Sequence, residues 1–254
     1  MISLPLIIKK SSIVDSIEAN SKKNLTSTID GTHVTRENRH HIRDIIFLLQ
    51  QITESNIIGE YKLENKLKIL GFAGSLRAGS YNKALLHAAV ELLPEGITLE
   101  IFDLLGIPTF NQDLESDMPT KVKEFKSKIR EESDAILIAT PEYNFSVPGV
   151  LKNAIDWASR PYGDNSFDGK PVAIMSASIG MLGGARAQYH LRQMFVFLNM
   201  YPVNGPEVIV TFAQDKFDAN GKLVDDNTRK FLIQLLQNLA NWTRRLRGEK
   251  YSVV

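Results

Sequence analysis

The residues Gly74-Ser75-Leu76-Arg77-Ala78-Gly79-Ser80-Tyr81-Asn82 bring two serine hydroxyls, a guanidinium and an amide into one short stretch. An apolar run, Leu67 to Phe72, precedes them, and the helix-like segment Lys83 to Val90 follows. Strand, loop and helix in that order place the loop at a helix N-terminus, where unpaired N–H groups and about half a positive charge attract an anion. Arg77 can fork onto phosphate oxygens while the loop's N–H groups fill the remaining acceptor sites, a donor set suited to one phosphate monoester. Gly74 and Gly79 have the spacing of the glycines in G-x-x-x-x-G-K-[ST], but Ser80 and Tyr81 stand where a triphosphate loop needs Lys and Ser/Thr. An ATPase or GTPase reading therefore loses its chemistry, and the dinucleotide fingerprint G-x-G-x-x-G is missing too. Taken alone, the loop also fits an ordinary Gly/Ser turn that caps a helix.

Two more stretches have a similar character. Thr140 to Gly149 sets two prolines around the cluster Glu142-Tyr143-Asn144-Phe145-Ser146, and Ser176 to Arg186 is rich in glycine, which lets backbone approach a flat ligand closely. Positioning them falls to a regular alternation that begins at Leu67. Strand-like runs occupy Leu67–Phe72, Ile97–Phe102, Ala135–Ala139, Val172–Ser176 and Val208–Val210. Helical patterns fill Asn82–Leu93, Thr120–Glu132, Pro148–Arg160, Ala185–Leu198 and Asn227–Arg247. Short, uniformly apolar strands are those of a parallel sheet buried on both faces. The expected fold is α/β, a doubly wound five-stranded parallel sheet in the flavodoxin-like order 2-1-3-4-5, whose ligand crevice lies outside the strands' carboxyl ends where strand order reverses. All three loops then meet at that crevice.

The 254-residue chain divides into an N-terminal extension, 1–65, and a main domain, 66–254. In the extension, Ile42, Ile45, Ile46, Leu49 and Ile52 fall at helical spacing, so Glu37 to Thr53 reads as an amphipathic helix whose apolar face needs a partner. Docking on protein is favoured over a membrane surface, because the face lacks aromatic and basic decoration. His33, His40 and His41 lie there without metal-ligand spacing and read as solvent-exposed. A formal charge of +1 with interspersed signs leaves no footprint for nucleic acid or an anionic membrane. The absence of cysteine removes disulfides, iron–sulfur clusters and thiol redox chemistry, so any redox function must come from a cofactor. No metal site is expected. No apolar run approaches membrane-spanning length, and no secretory signal is evident, which makes a cytoplasmic protein the expectation.

Three motifs carry a resemblance: G-S-L-R-x-G-S-x-N at Gly74–Asn82, P-E-Y-N-x-S-x-P-G-x-L-K-N-A-I-D-W at Pro141–Trp157, and G-G-A-R-x-Q-Y-H-L-R-Q at Gly183–Gln193. Over about Leu67 to Arg247 the sequence resembles the NADPH-dependent FMN reductase family, flavodoxin-like enzymes that include quinone, azo-dye and chromate reductases. Within the family the pattern is most similar to the bacterial quinone and chromate reductases. The resemblance implies FMN as cofactor, NADPH or NADH as hydride donor and a small-molecule electron acceptor. It implies that Ser75, Arg77, Ser80, Tyr81 and Asn82 hold the FMN phosphate, that Pro141, Glu142, Tyr143 and Asn144 line the ribityl chain and ring, and that Ser178, Gly180, Met181, Leu182 and Gly183 close its far side. No side chain is expected to act as a catalytic acid, base or nucleophile, because the flavin supplies the chemistry. The resemblance further implies a homodimer or homotetramer, with an interface near Arg186, Gln188, Tyr189, His190 and Arg192. Two readings compete. A flavodoxin-like electron carrier would bind FMN without reductase activity, but such carriers are usually strongly acidic where they dock and this chain is nearly neutral. A non-catalytic nucleotide sensor rests on the extension alone.

Overall fold

The computed structural model describes residues 66–249. The expected helix Glu37–Thr53, the histidines His33, His40 and His41, and the extension to residue 65 all lie outside the described residues. From Lys66 onward the elements run β1 (Leu67–Ala73), α1 (Tyr81–Glu91), β2 (Ile97–Phe102), α2 (Thr120–Arg130), β3 (Ala135–Ala139), α3 (Gly149–Ala158), β4 (Pro171–Ala177), α4 (Ala185–Leu198), β5 (Tyr201–Pro202), β6 (Val208–Val210) and α5 (Asp226–Leu246). Short 3-10 helices at Gln112–Asp117 and Ala213–Asp215 complete the set.

The strands lie in the order β2-β1-β3-β4-β5, and β6 also pairs with β4. Every pairing is parallel. The expected order therefore stands, with one refinement at the edge. The fifth position is shared: β5 pairs with Pro171 and Val172 at the start of β4, whereas β6 pairs with Met175, Ser176 and Ala177 at its end. Pro202 and Pro206 have no N–H to give a ladder, so one continuous edge strand could not form across this stretch.

Side chains alternate across the sheet as the pleat requires. Ile69, Ala135, Leu137, Ala173 and Met175 join Leu85 and Leu86 of α1 and Leu232, Leu235, Leu236 and Leu239 of α5 on one face. Leu70, Phe72, Ile136, Ile138, Val172 and Ile174 join Phe125 of α2, Leu151 of α3 and Leu191 and Phe195 of α4 on the other. Each fully buried Leu or Phe contributes roughly 1.5–3 kcal/mol, so these two layers hold the sheet from both sides. Helix starts are set locally: the Ser80 side chain accepts from Lys83 N at α1, and Asp225 accepts from Thr228 N at α5. Among the described residues no helix is long and apolar enough to cross a membrane.

Candidate active site

The first loop connects β1 to α1. Gly74 N–H donates to Ala139 O at 2.8 Å, continuing the pairing of β1 with β3 one residue past the strand. Beyond it, none of the backbone N–H groups from Ser75 to Asn82 donates to an acceptor among the described residues. Ser75 and Ser80 are buried in the same loop. Ser80 accepts from Lys83 N at 3.4 Å as the helix cap and keeps its own proton to donate. Arg77 is exposed, forms no ion pair among the described residues and stands 5.9 Å from the ring centre of Tyr81. The Tyr81 ring leans on Phe217 at 5.5 Å, leaving its N–H at the helix start. A row of free N–H groups, two buried hydroxyls and one unpaired guanidinium is an anion cradle. Beside it, Asp103 at the end of β2 holds its carboxyl below the usual value, chiefly because Leu105 N–H donates to it at 2.9 Å, with Lys83 at 3.4 Å adding to the effect.

The second loop follows β3. Tyr143 and Ser146 exchange two backbone bonds of 3.0 Å, and the central residues Asn144 and Phe145 both have positive φ, 49° and 64°. That is a two-residue hairpin turn of the I′ kind, for which Asn is well suited. Phe is not, and the left-handed conformation costs such a residue roughly 1–2 kcal/mol. Three contacts fasten this hairpin to α4. The Glu142 carboxylate accepts from Arg186 N at 3.0 Å and Ala187 N at 3.4 Å and pairs with the Arg186 guanidinium. That guanidinium lies over the Phe145 ring at 3.5 Å, and Ser146 Oγ meets His190 Nδ1 at 2.9 Å.

The third loop leaves β4 and enters α4. Ser178 is held on its backbone by Val210 O and Ala213 N, each at 3.0 Å, and its hydroxyl accepts from Gly180 N at 3.1 Å. Ile179, Met181 and Leu182 are exposed, while Gly183 and Gly184 dive into the fold at φ of 58° and 94°. A Cβ on Gly183 would fall 2.5 Å from Ile209 Cγ2, and one on Gly184 would fall 2.8 Å from Ser176 Cβ. Only glycine passes here.

The three loops are mutually tied. Gly74 packs so closely on Pro141 that an added Cβ would stand 3.3 Å from Pro141 Cδ. Glu142 binds the second loop to the third, as above. Asn82 binds the first to the third: its Nδ2 donates to Ala177 O at 2.9 Å, and its Oδ1 accepts from Ala177 N at 3.0 Å. This triangle sits at the carboxyl ends of β1, β3 and β4. Residues 67–215 match the NADPH-dependent FMN reductase family.

The chain belongs to the NADPH-dependent FMN reductase family. An NAD(P)H-dependent FMN reductase of Pseudomonas aeruginosa is 53% identical over 187 residues, which are 73% of this chain and 100% of that protein. A 2-hydroxy-1,4-benzoquinone reductase of a Burkholderia species is 44% identical over 178 residues, 70% of this chain and 97% of that protein. Among solved structures, the flavoenzyme NAD(P)H:(acceptor) oxidoreductase FerB of Paracoccus denitrificans superposes with a TM-score of 0.65 at 36% identity, covering 70% of this chain and 98% of that one.

FMN, which membership of the NADPH-dependent FMN reductase family implies, fits the donor set of this crevice: the anion cradle suits its phosphate, and the exposed apolar walls suit its flat ring. Of the residues expected to hold it, Ser75, Arg77, Ser80 and Tyr81 gather at the cradle, and Pro141, Tyr143, Asn144, Ser178, Gly180, Met181, Leu182 and Gly183 line the adjoining loops. Two side chains are placed differently. The Asn82 side-chain amide is spent on both sides of the Ala177 peptide, so that side chain ties the first loop to β4 and only the Asn82 backbone N–H is left for the cradle. The Glu142 carboxylate is spent on the N-terminus of α4 and on Arg186, so only its backbone is free to face a ligand. Gln188, expected near an interface, is buried and donates to Ser176 Oγ at 2.8 Å and Val208 O at 2.9 Å. Sequence reasoning missed the fourth loop, Thr211-Phe212, which runs against Ser178 and Gly183 at the end of β6. Its position after a strand's carboxyl end was the available signal.

Proposed function

We propose that this crevice binds FMN and that the chain is an NAD(P)H-dependent oxidoreductase acting on quinones or related acceptors such as azo compounds, chromate and free flavin. The observation that carries the reading is the run of unspent N–H groups from Ser75 to Asn82, with Arg77 beside it and an apolar rim next to it. When FMN is bound, the redox chemistry is its own: a hydride comes from NAD(P)H and two electrons pass on to the acceptor. Ser75, Ser80 and the N-terminal N–H groups of α1 hold the phosphate, and Arg77 neutralises its charge in a forked contact. Pro141, the backbone of Glu142 and the Tyr143–Ser146 hairpin position one edge of the ring, while Ser178 and Gly180 to Gly183 close the other. A side of the ring left uncovered by these loops would admit NAD(P)H and then the acceptor in turn, as a ping-pong cycle requires; for a quinone the balance would be NAD(P)H, quinone and a proton to NAD(P)⁺ and hydroquinone.

The near-neutral net charge of +1 supports a small-molecule acceptor over the alternative of an electron carrier docking on a partner protein. Val196 and Phe197 on α4 are 84% and 74% exposed, and Tyr189 lies on the same face. An apolar stripe of that kind supports assembly with a second copy, as a homodimer or homotetramer. The reading places the enzyme in the cytoplasm. The test is the visible spectrum of the protein reconstituted with FMN, desalted, and treated anaerobically with NADPH. Retained bands that bleach are expected; retained bands that do not bleach favour the carrier, and absence of retained flavin overturns the proposal.

A further inference from the structure

Among the described residues, four that are not glycine adopt positive φ: Asn144, Phe145, Asn199 and Phe212. The two asparagines are ordinary occupants of this region, in a tight turn and just past the end of α4. The two phenylalanines are not, since a bulky side chain there is strained. Both are also turned to solvent, Phe145 66% exposed and Phe212 48% exposed, so neither conformation is compensated by full burial. Strain and exposed aromatic surface thus fall on the same two residues. Both sit at carboxyl ends of the sheet, Phe145 after β3 and Phe212 after β6.

Their placement is defined by the third loop. Ala213 N–H, next to Phe212, donates to Ser178 O at 3.0 Å, and Gly183 packs against Ile209 and Thr211. On the opposite flank, Glu142 and Arg186 clamp the Phe145 hairpin to the first turn of α4. The loop Ser178–Gly183 therefore has one strained phenylalanine on each side. Phe145 is backed by the Arg186 guanidinium on one face of its ring. Phe212 begins the 3-10 helix Ala213–Asp215, whose following segment is fixed by Lys216 Nζ on Asp225 at 2.7 Å.

We propose that Phe145 and Phe212 are specificity-determining residues, two aromatic contact surfaces that engage a planar aromatic acceptor such as a quinone at the rim of the crevice. This rests on the acceptor site proposed above. A flat conjugated ring gains offset or edge contacts with such side chains, whereas a compact hydrophilic oxidant gains none. Local strain is retained where function requires the group to be presented in that position.

The test compares Phe145→Asn, Phe212→Asn and the conservative Phe145→Tyr and Phe212→Tyr in the full FMN-loaded chain, with menadione and ferricyanide as acceptors. In each Asn variant the ratio of KM for menadione to KM for ferricyanide is expected to rise about fivefold, the worth of one aromatic contact, and the Tyr variants are expected to restore it. Thermal midpoints without flavin supply a second readout. Because Asn relieves the left-handed strain, the midpoint is expected to hold or rise, whereas a fall of about 10 °C is what loss of a packed ring would give and would overturn the proposal. An unchanged KM ratio overturns it too, as does a change in oligomer mass by light scattering, which would assign the two rings to an interface between copies. Failure of the unmodified chain to reduce either acceptor overturns the acceptor site itself and this inference with it. An intact unmodified enzyme with unresponsive Asn variants overturns the inference alone.

Discussion

Arg77 and Asn82 belong to one motif, yet their side chains have separable consequences. Arg77 is exposed and forms no ion pair among the described residues, so Arg77→Ala should change unfolding free energy by no more than about 0.5 kcal/mol. It should weaken FMN by about 1.5–3 kcal/mol, the worth of a hydrogen bond to a charged group, so flavin is lost on desalting. Asn82→Ala should do the reverse in order of cause. It leaves the buried N–H and C=O of Ala177 without their partner, at a cost of about 1–3 kcal/mol for each unsatisfied group, and a urea titration should show the loss even without flavin. Flavin retention equal to wild type in Arg77→Ala would count against the cradle; full stability in Asn82→Ala would count against the tie. Residue types and spacing made the cradle legible in the sequence. The direction of a side chain did not follow from them: Asn82 turns inward to β4, Glu142 to the start of α4, and Gln188 to Ser176, because each satisfies backbone or hydroxyl groups that only the assembled loops bring near.

The elements were legible wherever periodicity runs long enough. The five main helices begin and end within about two residues of their sequence-read bounds, as expected where caps and frayed turns decide the ends. The two-residue β5 has no period to detect, and the loop bearing Phe212 was passed over although the strand before it was read at its observed bounds, because Thr211-Phe212 lacks the glycines and prolines that mark the second and third loops. The longest helix, α5, offers the sharpest test of an element. Its N-cap Asp225 accepts from Lys216 Nζ at 2.7 Å, Thr228 Oγ1 at 2.6 Å and Thr228 N at 2.8 Å, and these bonds draw its pKa down to about 2. Since the folded value lies below the unfolded value of about 3.9, the charged cap stabilises the fold above pH ~4, and that stabilisation is lost as pH falls toward ~2. Asp225→Ala should therefore cost about 1–2 kcal/mol near neutrality, with the gap from wild type closing in acid. Urea titrations at several pH values would show it, and a gap independent of pH would remove the ionic part of the account. The same residue anchors the segment just beyond Phe212, so the variant links helix capping to the rim of the site.

At the scale of the whole molecule, one face of α4 is left over after the core and the crevice are built. The helix buries Ala187, Gln188, Leu191, Phe195 and Leu198 against the sheet, which spends a full apolar stripe, and still presents Val196 and Phe197 outward. Neither residue serves β4 packing or the loops at the N-terminal end of the helix, so both are open to contact with a second copy. A stable contact between copies needs on the order of 800 Å² from each partner, more than two side chains supply, and Tyr189, about two turns earlier, extends the same face toward the hairpin. Charge placed at the centre of such a surface is costly to bury, whereas on a free helix face it is harmless. Val196→Glu combined with Phe197→Glu should therefore lower the mass measured by light scattering to that of one chain, with little change in far-ultraviolet helicity. A mass that stays the same would show that α4 faces solvent in solution, and the assembly, if one forms, would have to use another surface. Because α4 also carries Arg186 and His190, which hold the Phe145 hairpin, dissociation should also raise KM for an aromatic acceptor if assembly steadies that helix.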